Sequence, residues 1–293
     1  MTAYLVAVGI VALIYMLLTI GLNLQYGYTG LTNFGVVAFF AIGAYGSALL
    51  TLRGWPMVPA FLVAMGVSAV AAYPIGLLSL RLSDDYLAVV TLGFSEVVRL
   101  VIQEERWLTK GVQGLPGIPR IFQSWGVGNY AELATLAALL ACTVAAIGLM
   151  RHLVHSPYGR LIQAIRDDEI AVGAVGKDPR RLKVQVLMLG SALAGLAGAF
   201  YAHYITYISP EQFLPLVTFY VWIAMIIGGT GRTAGAVAGS LILMVFLEGS
   251  RFARDWIPGV SEVQMASVRL ALVGLGLILF TLYRPQGLMG ARE

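Results

Sequence analysis

The sequence predicts an all-α membrane protein, folded as a polytopic bundle of about nine (8–10) transmembrane helices. Composition, hydropathy and the placement of charge lead to this fold class. Of the 293 residues, 59% are hydrophobic and 12% are charged, about half the ~25% of an ordinary soluble chain. The mean hydropathy is +0.82, and the first charged residue is Arg53. So few charges cannot coat a soluble globule, and lipid is therefore expected to surround most of the chain.

The apolar stretches give the order of the helices. The uncharged stretch before Arg53 is long enough for two crossings, since one crossing takes ~20 apolar residues. No basic segment or small-residue cleavage pattern opens the chain, so we predict a retained helix and not a signal peptide. A polar, glycine-rich break that includes Asn23 and Tyr28 divides these two crossings. Further spans are predicted at 57–80, 86–104, 131–151, 184–206, 214–229, 234–250 and 267–283. The pair around Gly228–Gly239 could instead form a broken or re-entrant segment.

Basic residues predict the orientation, because cytoplasmic loops carry more Lys and Arg than outer loops do. The charged loop at about 152–183 is expected inside, and the loop at about 105–130 is expected on the periplasmic side. Alternation from there gives eleven basic residues inside and seven outside, with the N-terminus outside and the C-terminus in the cytoplasm. The chain 1–293 is predicted to be a single transmembrane domain whose two long loops contact partners.

Several kinds of chemistry have no support in the sequence. No lysine stands in a Walker arrangement, so the chain has no ATPase site of the usual kind. His152, His155 and His203 form no metal-binding pattern, and His203 lies among tyrosines typical of a membrane interface. One cysteine, Cys142, excludes a disulfide framework and is expected to be a small packing residue. With 19 basic and 15 acidic residues and no basic stripe, nucleic acid is not an expected partner.

The stretch Ser156–Lys183 concentrates charge, with ten charged residues in 28 positions. Ser156 followed by proline is typical of a helix start. Leu161, Ile165 and Asp168 fall at i, i+4 and i+7, which predicts one amphipathic helix over 157–175. The residues alone leave two interpretations open: a solvated surface helix, or a docking element for a soluble partner.

Glu96 and Arg99 lie within the predicted span 86–104. An ionised group in a bilayer costs at least ~2.5–3.5 kcal/mol and therefore faces protein or water. Their i, i+3 spacing puts them on one helix face, where they can neutralise each other. The pair either locks the bundle or lines a path for a polar or zwitterionic solute.

Small residues recur every four positions in two predicted spans, which lets helices approach closely. The two stripes are Gly190, Ala194, Gly198 and Ala202, and Gly231, Gly235 and Gly239. The run Gly228-Gly229-Thr230-Gly231 is too flexible for plain helix, and irregular backbone at membrane depth must be buried in protein or line a wet cavity.

A set of short motifs covers nearly the whole chain in order. They are Gly21–Leu24, Gly27–Leu31, Ala38–Tyr45, Thr91–Phe94, Glu96–Leu100, Gly114–Pro119, Ser156–Arg160, Ala164–Ala171, Gly176, Ala194–Ala199, Ser209–Glu211 and Gly228–Gly229. By these motifs the chain resembles the LivM-type permease subunits of bacterial ABC importers for branched-chain amino acids. The combination is specific, although each motif alone is weak.

The resemblance implies a type II-like ABC importer permease in the bacterial inner membrane. Such a subunit pairs with a second, homologous permease, two cytoplasmic ATPases and a periplasmic substrate-binding protein; ATP is used by the partners, and no cofactor is expected on this chain. The resemblance assigns the coupling helix, which fits a groove on the ATPase, to Gly159, Arg160, Leu161, Ile165, Arg166, Asp168, Glu169 and Gly176. Leu161, Ile165 and Val172 are expected to fill that groove. We assign the translocation path to Asn23, Tyr28, Glu96, Arg99, Gly228 and Gly229.

Alternative functions remain open at this point. Related importers carry urea, short amides or other amino acids, and the chain departs from the family pattern at Lys110 and Gln113, in the outer loop. An ion-coupled secondary transporter would need titratable groups near the bilayer midplane, where the sequence offers only Glu96. A membrane enzyme lacks a catalytic constellation, and a structural scaffold gives no reason for the polar breaks.

Overall fold

A computed structural model describes residues 2–79, 82, 84–122 and 129–252, together with some positions between 268 and 289. The helices in these parts are α1 (Thr2–Leu22), α2 (Val36–Leu52), α3 (Met57–Ser79), α4 (Asp84–Glu104), α5 (Arg106–Thr109), α6 (Asn129–His155), α7 (Pro157–Asp167), α8 (Glu169–Ala174), α9 (Pro179–Ile205), α10 (Pro215–Gly228) and α11 (Thr233–Phe252). A π-helical turn, Asn23–Gly27, extends α1, and 3₁₀ turns lie at Gly111–Gln113 and Pro210–Phe213. Two short strands, β1 (Leu115–Pro116) and β2 (Tyr207–Ile208), complete the described elements.

The predicted all-α fold is confirmed, whereas the count of nine spans is not. Among the described residues, five helical stretches are long and apolar enough to cross a membrane: Ala3–Gly27, Met57–Leu78, Tyr130–His155, Pro179–Ile205 and Pro210–Gly228. Two shorter apolar helices cover Val36–Leu52 and Thr233–Gly249. The structure describes few residues of the predicted span 267–283, so that span stays a prediction.

Helix α9 packs against α1, α2 and α3 at the centre of the bundle. Its small residues allow this, because a Cβ at Gly190 would lie 2.7 Å from the carbonyl oxygen of Gly21. A Cβ at Gly198 would lie 2.0 Å from the carbonyl oxygen of Phe40 on α2. The close helix packing predicted from this stripe is confirmed.

Helices α10 and α11 form a tight hairpin. The turn between them has Gly229 at φ 106° and Gly231 at φ 74°, a conformation that side chains other than glycine rarely adopt. A Cβ at Gly228 would lie 1.9 Å from the carbonyl oxygen of Gly235, and one at Gly239 would lie 1.8 Å from that of Ala224. The chain at 214–250 is therefore two packed helices joined by a glycine turn.

This packing predicts that Gly239→Ala destabilises the protein. The added methyl group overlaps the backbone of α10, and overpacking of this kind costs about 1–3 kcal/mol. Gly249→Ala on the same helix is the matched control, because no atom from another described part of the chain lies within 4 Å of its Cβ position. We expect a lower midpoint of thermal unfolding in detergent for Gly239→Ala only. Equal midpoints for the two variants would contradict the close contact.

The loop after α4 is tied to the end of α9 by the antiparallel pair β1 and β2, in which Leu115 lies opposite Ile208. Near this ladder, His203 packs against Phe61, and its Nδ1 lies 2.7 Å from the carbonyl oxygen of Pro119. The prediction that His203 belongs to an interfacial aromatic belt is wrong, because the side chain is buried.

The predicted single helix over 157–175 is also wrong, because the chain forms α7 and α8 with a break at Asp168. Ser156 caps α7 as expected, accepting a hydrogen bond from the amide of Gly159 at 3.3 Å. Asp168 is extended, at φ −157° and ψ 103°. Its carboxylate accepts hydrogen bonds from the amides of Ile170 and Ala171, at 2.9 and 3.0 Å. The Asp168 side chain thus accepts hydrogen bonds from two amides in the first turn of α8. This capping competes with a continuation of α7 through Asp168.

Candidate functional site

The segment 23–35, here called the junction, joins α1 to α2 and is rich in buried polar side chains. These are Asn23, Gln25, Thr29 and Asn33. Only its first five residues are helical, in the π-helical turn. Buried polar groups outside regular helix need partners, and the junction finds them on neighbouring helices.

The junction holds the glycine turn between α10 and α11. The Asn23 side chain donates to the carbonyl of Arg232 at 3.1 Å and accepts from the amide of Gly231 at 3.0 Å. The hydroxyls of Tyr28 and Thr233 lie 3.2 Å apart. Two residues assigned to the path, Asn23 and Tyr28, are therefore brought beside the turn that follows Gly228–Gly229. Their polar atoms contact protein, which gives them a bracing role.

A second set of hydrogen bonds fixes the junction to α9 and α10. Gln25 donates to the carbonyl of Leu187 at 3.0 Å, and Asn33 donates to the side-chain oxygen of Gln25 at 2.9 Å. The Trp222 indole donates to the carbonyl of Asn33 at 3.0 Å and stacks on Phe34. Any shift of the junction would disturb both helices.

Two buried threonines accept hydrogen bonds from amides around the start of α2. Thr91 on α4 accepts from the amide of Phe34 at 2.9 Å. Thr218 on α10 accepts from the amide of Val37 at 3.1 Å. The junction therefore contacts α4, α9 and α10 as well as the helices that it joins.

Helix α7 reaches the junction through Arg166. The guanidinium donates to the carbonyl of Gly27 at 2.9 Å, and its Nη1 would lie 3.3 Å from a Cβ at Gly231. Gly30, at φ 80°, passes against the same side chain. One residue of the predicted coupling helix thus lies against both the junction and the glycine turn.

Two acidic residues of the predicted coupling helix, Asp168 and Glu169, have partners within the chain. Glu169 forms an ion pair with Lys183 on α9, and Asp168 caps α8. Gly159 allows α7 to turn closely off α6, because a Cβ there would lie 2.0 Å from the carbonyl oxygen of Val154. Gly176, at φ 76°, ends the segment in a conformation that suits glycine.

The predicted groove-filling residues are not free to fill a groove on a partner. Ile165 and Val172 are 4% and 5% exposed, and Leu161 is half-buried. Because α7 and α8 pack back onto α6 and α9, the apolar positions cover the chain's own core. That prediction is wrong for Ile165 and Val172. The exposed apolar side chains are instead Ile170 and Val175, at 85% and 77%.

Tyr158 supports the attachment of α7. Its ring packs against the buried core, and its hydroxyl is buried. Burial raises the pKa of Tyr158 to about 12, because the apolar surroundings disfavour the phenolate. A neutral ring suits a helix that packs on apolar neighbours.

Glu96 and Arg99 form the expected ion pair on α4. Nε and Nη2 of Arg99 lie 2.9 and 2.7 Å from one carboxylate oxygen of Glu96. Nη1 of Arg99 lies 3.4 Å from the side-chain oxygen of Gln103. Both charged side chains are partly exposed along a stripe beside the buried face of α4. The pair is thus separate from the junction and faces the outside of this single subunit.

A family model described as branched-chain amino acid transport system / permease component matches residues 4–281. The chain belongs to this family. Permease LivM of the Escherichia coli (strain K12) high-affinity branched-chain amino acid transport system is 31% identical, over 97% of this chain and 69% of the relative. The probable permease LivM of Methanocaldococcus jannaschii is 24% identical over 94% and 90%. Permease LivH of E. coli (strain K12) is 24% identical over 95% and 92%. No solved structure gives a significant match.

Sequence reasoning missed some contact residues of this permease. The chain around the junction and the start of α2 is held by hydrogen bonds to Thr91, Thr218 and Trp222. Each of the three lies in an apolar run that is typical of an ordinary membrane span. A buried hydroxyl or indole N–H in such a run is a signal of a hydrogen-bond partner elsewhere. The position of that partner is visible only in the fold.

Proposed function

We propose that this permease carries branched-chain amino acids through the membrane and that α7 and α8 receive the motion of cytoplasmic ATPases. The observation that carries the proposal is the hydrogen bond from Arg166 to the carbonyl of Gly27. It joins the segment assigned to the ATPase contact directly to the break that ends α1. The family and the names of the relatives support the transport role and the amino-acid class.

The junction offers a route from α7 to the helices that form the path. ATP binding closes the ATPases and displaces α7 and α8, and Arg166 transmits this displacement to the junction and the glycine turn. Because the junction contacts α4, α9 and α10, its shift changes their relative positions. Two discrete packings of these helices, one open to each side, are the form that such transitions take.

We assign the remaining partners to surfaces that stay open in this subunit. The second, homologous permease covers the stripe on α4 that carries Glu96 and Arg99, so that the path runs between the two subunits. The periplasmic binding protein docks on the loop after α4, which β1 and β2 hold to the end of α9. We propose that the protein lies in the bacterial inner membrane with the N-terminus outside and the C-terminus in the cytoplasm.

ATP-driven uptake tests the function. The permease, its partner permease, the ATPases and the binding protein are reconstituted in vesicles, and uptake of labelled leucine is measured. Arg166→Gln should lower uptake by about tenfold or more, because a hydrogen bond to a charged group contributes about 1.5–3 kcal/mol. Arg181→Gln is the matched control, since Arg181 is exposed in the same segment and pairs with Asp178.

Two results would contradict the proposed mechanism, and a third would contradict the proposed solute. Leucine uptake that continues without the ATPases and collapses with a proton uncoupler would identify a secondary transporter. Full uptake by Arg166→Gln would show that Arg166 does not transmit the motion. Uptake of urea or an amide in place of leucine would retain the mechanism and correct the solute.

Labelling in intact cells tests the orientation. Single cysteines at Val112 and Arg181, both exposed, are introduced in a Cys142→Ser background. A membrane-impermeant thiol reagent should label position 112 in intact cells and position 181 only after lysis. Labelling of position 181 in intact cells would reverse the orientation.

A further inference from the structure

A cavity of about 540 Å³ opens at the end of the bundle that carries α7, between the last turn of α6, α7 and the start of α11. Three arginines line it, Arg151, Arg160 and Arg232, together with the imidazole of His155. The wall formed by Tyr28 and Thr233 has two hydroxyls 3.2 Å apart, which share one hydrogen bond and leave one O–H to donate. The volume lies within the range of ~300–1,000 Å³ that is usual for ligand sites.

The positive charge of this cavity is not neutralised within the described parts of the chain. No carboxylate lines the cavity there, and the ion pairs found there involve Arg99, Arg166, Arg181 and Lys183. A cleft lined by charges of one sign concentrates the field and attracts an ion of the opposite sign. The cavity is therefore suited to an anion.

Exposed apolar faces continue from the cavity along both bordering helices. On α6, Leu140 and Val144 are exposed and lie on the same helix face as Arg151, because positions 140, 144, 148 and 151 are three or four residues apart. On α11, whose first residues line the cavity, Leu241 and Val245 are exposed further along the helix. A ligand with an anionic head and apolar chains matches this combination.

We propose that the cavity binds the phosphate headgroup of an anionic phospholipid, with the acyl chains lying along α6 and α11. Basic pockets between membrane helices bind such headgroups through charge and hydrogen bonds. The inference goes beyond the transport function and does not depend on the solute. It assigns Arg160 to the lipid and not to the ATPase.

Lipid retention tests the proposal. The full-length protein is reconstituted in phosphatidylcholine vesicles with a minor fraction of phosphatidylglycerol, re-extracted in mild detergent, and its bound lipids are identified by native mass spectrometry. The variant Arg151→Gln/Arg160→Gln/Arg232→Gln should retain phosphatidylglycerol about 100-fold more weakly, because each basic residue near an anionic headgroup contributes about fivefold. Lys177→Gln/Arg180→Gln/Arg181→Gln is the matched control, with the same loss of charge at exposed positions of the same loop.

Any of four outcomes would overturn the proposal. The pocket variant could retain phosphatidylglycerol as the unchanged protein does, or the control could lose it equally. Inorganic phosphate could bind tightly to the delipidated protein in calorimetry while no phospholipid is retained, which would make the site one for a free anion. If the triple variant does not fold, Arg232→Gln alone should weaken retention by about fivefold, and an unchanged value would reject the site.

Discussion

Replacing Ile170 and Val175 by aspartate should release the ATPases from the permease while the permease itself stays in the membrane. Both side chains are largely exposed although they are apolar, and they lie on and just after the short helix α8. Burying a valine or isoleucine contributes about 1.5–3 kcal/mol, so losing two such contacts should weaken the complex by at least 100-fold.

Co-purification of the ATPases with the permease measures this effect. The variant Ile170→Leu/Val175→Leu is the control, because it keeps apolar side chains at both positions. Retention of the ATPases by the aspartate variant would mean that α8 presents an ordinary solvated surface.

Asp168 needs a separate comparison, because its carboxylate caps α8. Asp168→Asn keeps a good helix cap and removes only the charge, whereas Asp168→Ala removes both, at a cost of about 1 kcal/mol. If the charge contacts the ATPase, both variants should lose stimulation of ATPase activity by the loaded binding protein. If Asp168 acts by holding α8, only Asp168→Ala should lose it.

Glu96→Gln alone should destabilise the permease more than Glu96→Gln combined with Arg99→Met. The single change leaves the guanidinium of Arg99 without its carboxylate partner, and a lone charge in a bilayer costs at least ~2.5–3.5 kcal/mol. Removing both charges avoids that cost, because no ion is then left to desolvate. The accumulation of folded protein in the membrane should therefore fall for the single variant and recover for the double variant.

Glu104→Gln is the matched control for this experiment, since it makes the same chemical change at the exposed end of α4. A double variant that accumulates normally but fails to transport leucine would assign the pair to the path. Single variants that accumulate and transport normally would exclude both the locking role and the path role.

The sequence by itself determined the class of the protein and most helix positions. Apolar content is additive along the chain, so the predicted span 57–80 agrees with Met57–Ser79. The stretch predicted at 86–104 agrees in position with helix Asp84–Glu104, which is not among the five stretches long and apolar enough to cross a membrane. The motifs around Ser156–Gly176 pointed to the family because their order along the chain is itself the signal. These features depend on neighbours in sequence.

The break at Asp168 shows where periodicity failed. Leu161, Ile165 and Asp168 have helical spacing, yet the chain ends one helix and starts another at Asp168. The spacing of an aspartate in a charged run does not indicate whether its carboxylate faces water or caps two amides. Ile165 and Val172 are buried because the segment folds back, which exposes Ile170 and Val175.

Only the tertiary structure decided what the polar break does. The sequence placed a break at Asn23–Asn33, but the partners of Asn23, Tyr28 and Arg166 lie 139 to 209 positions away in the chain. Local patterns carry no information about such distant pairs. The physical reason for the pairs is that polar groups buried among apolar helices must find hydrogen-bond partners, and the packing of the helices determines which ones are within reach.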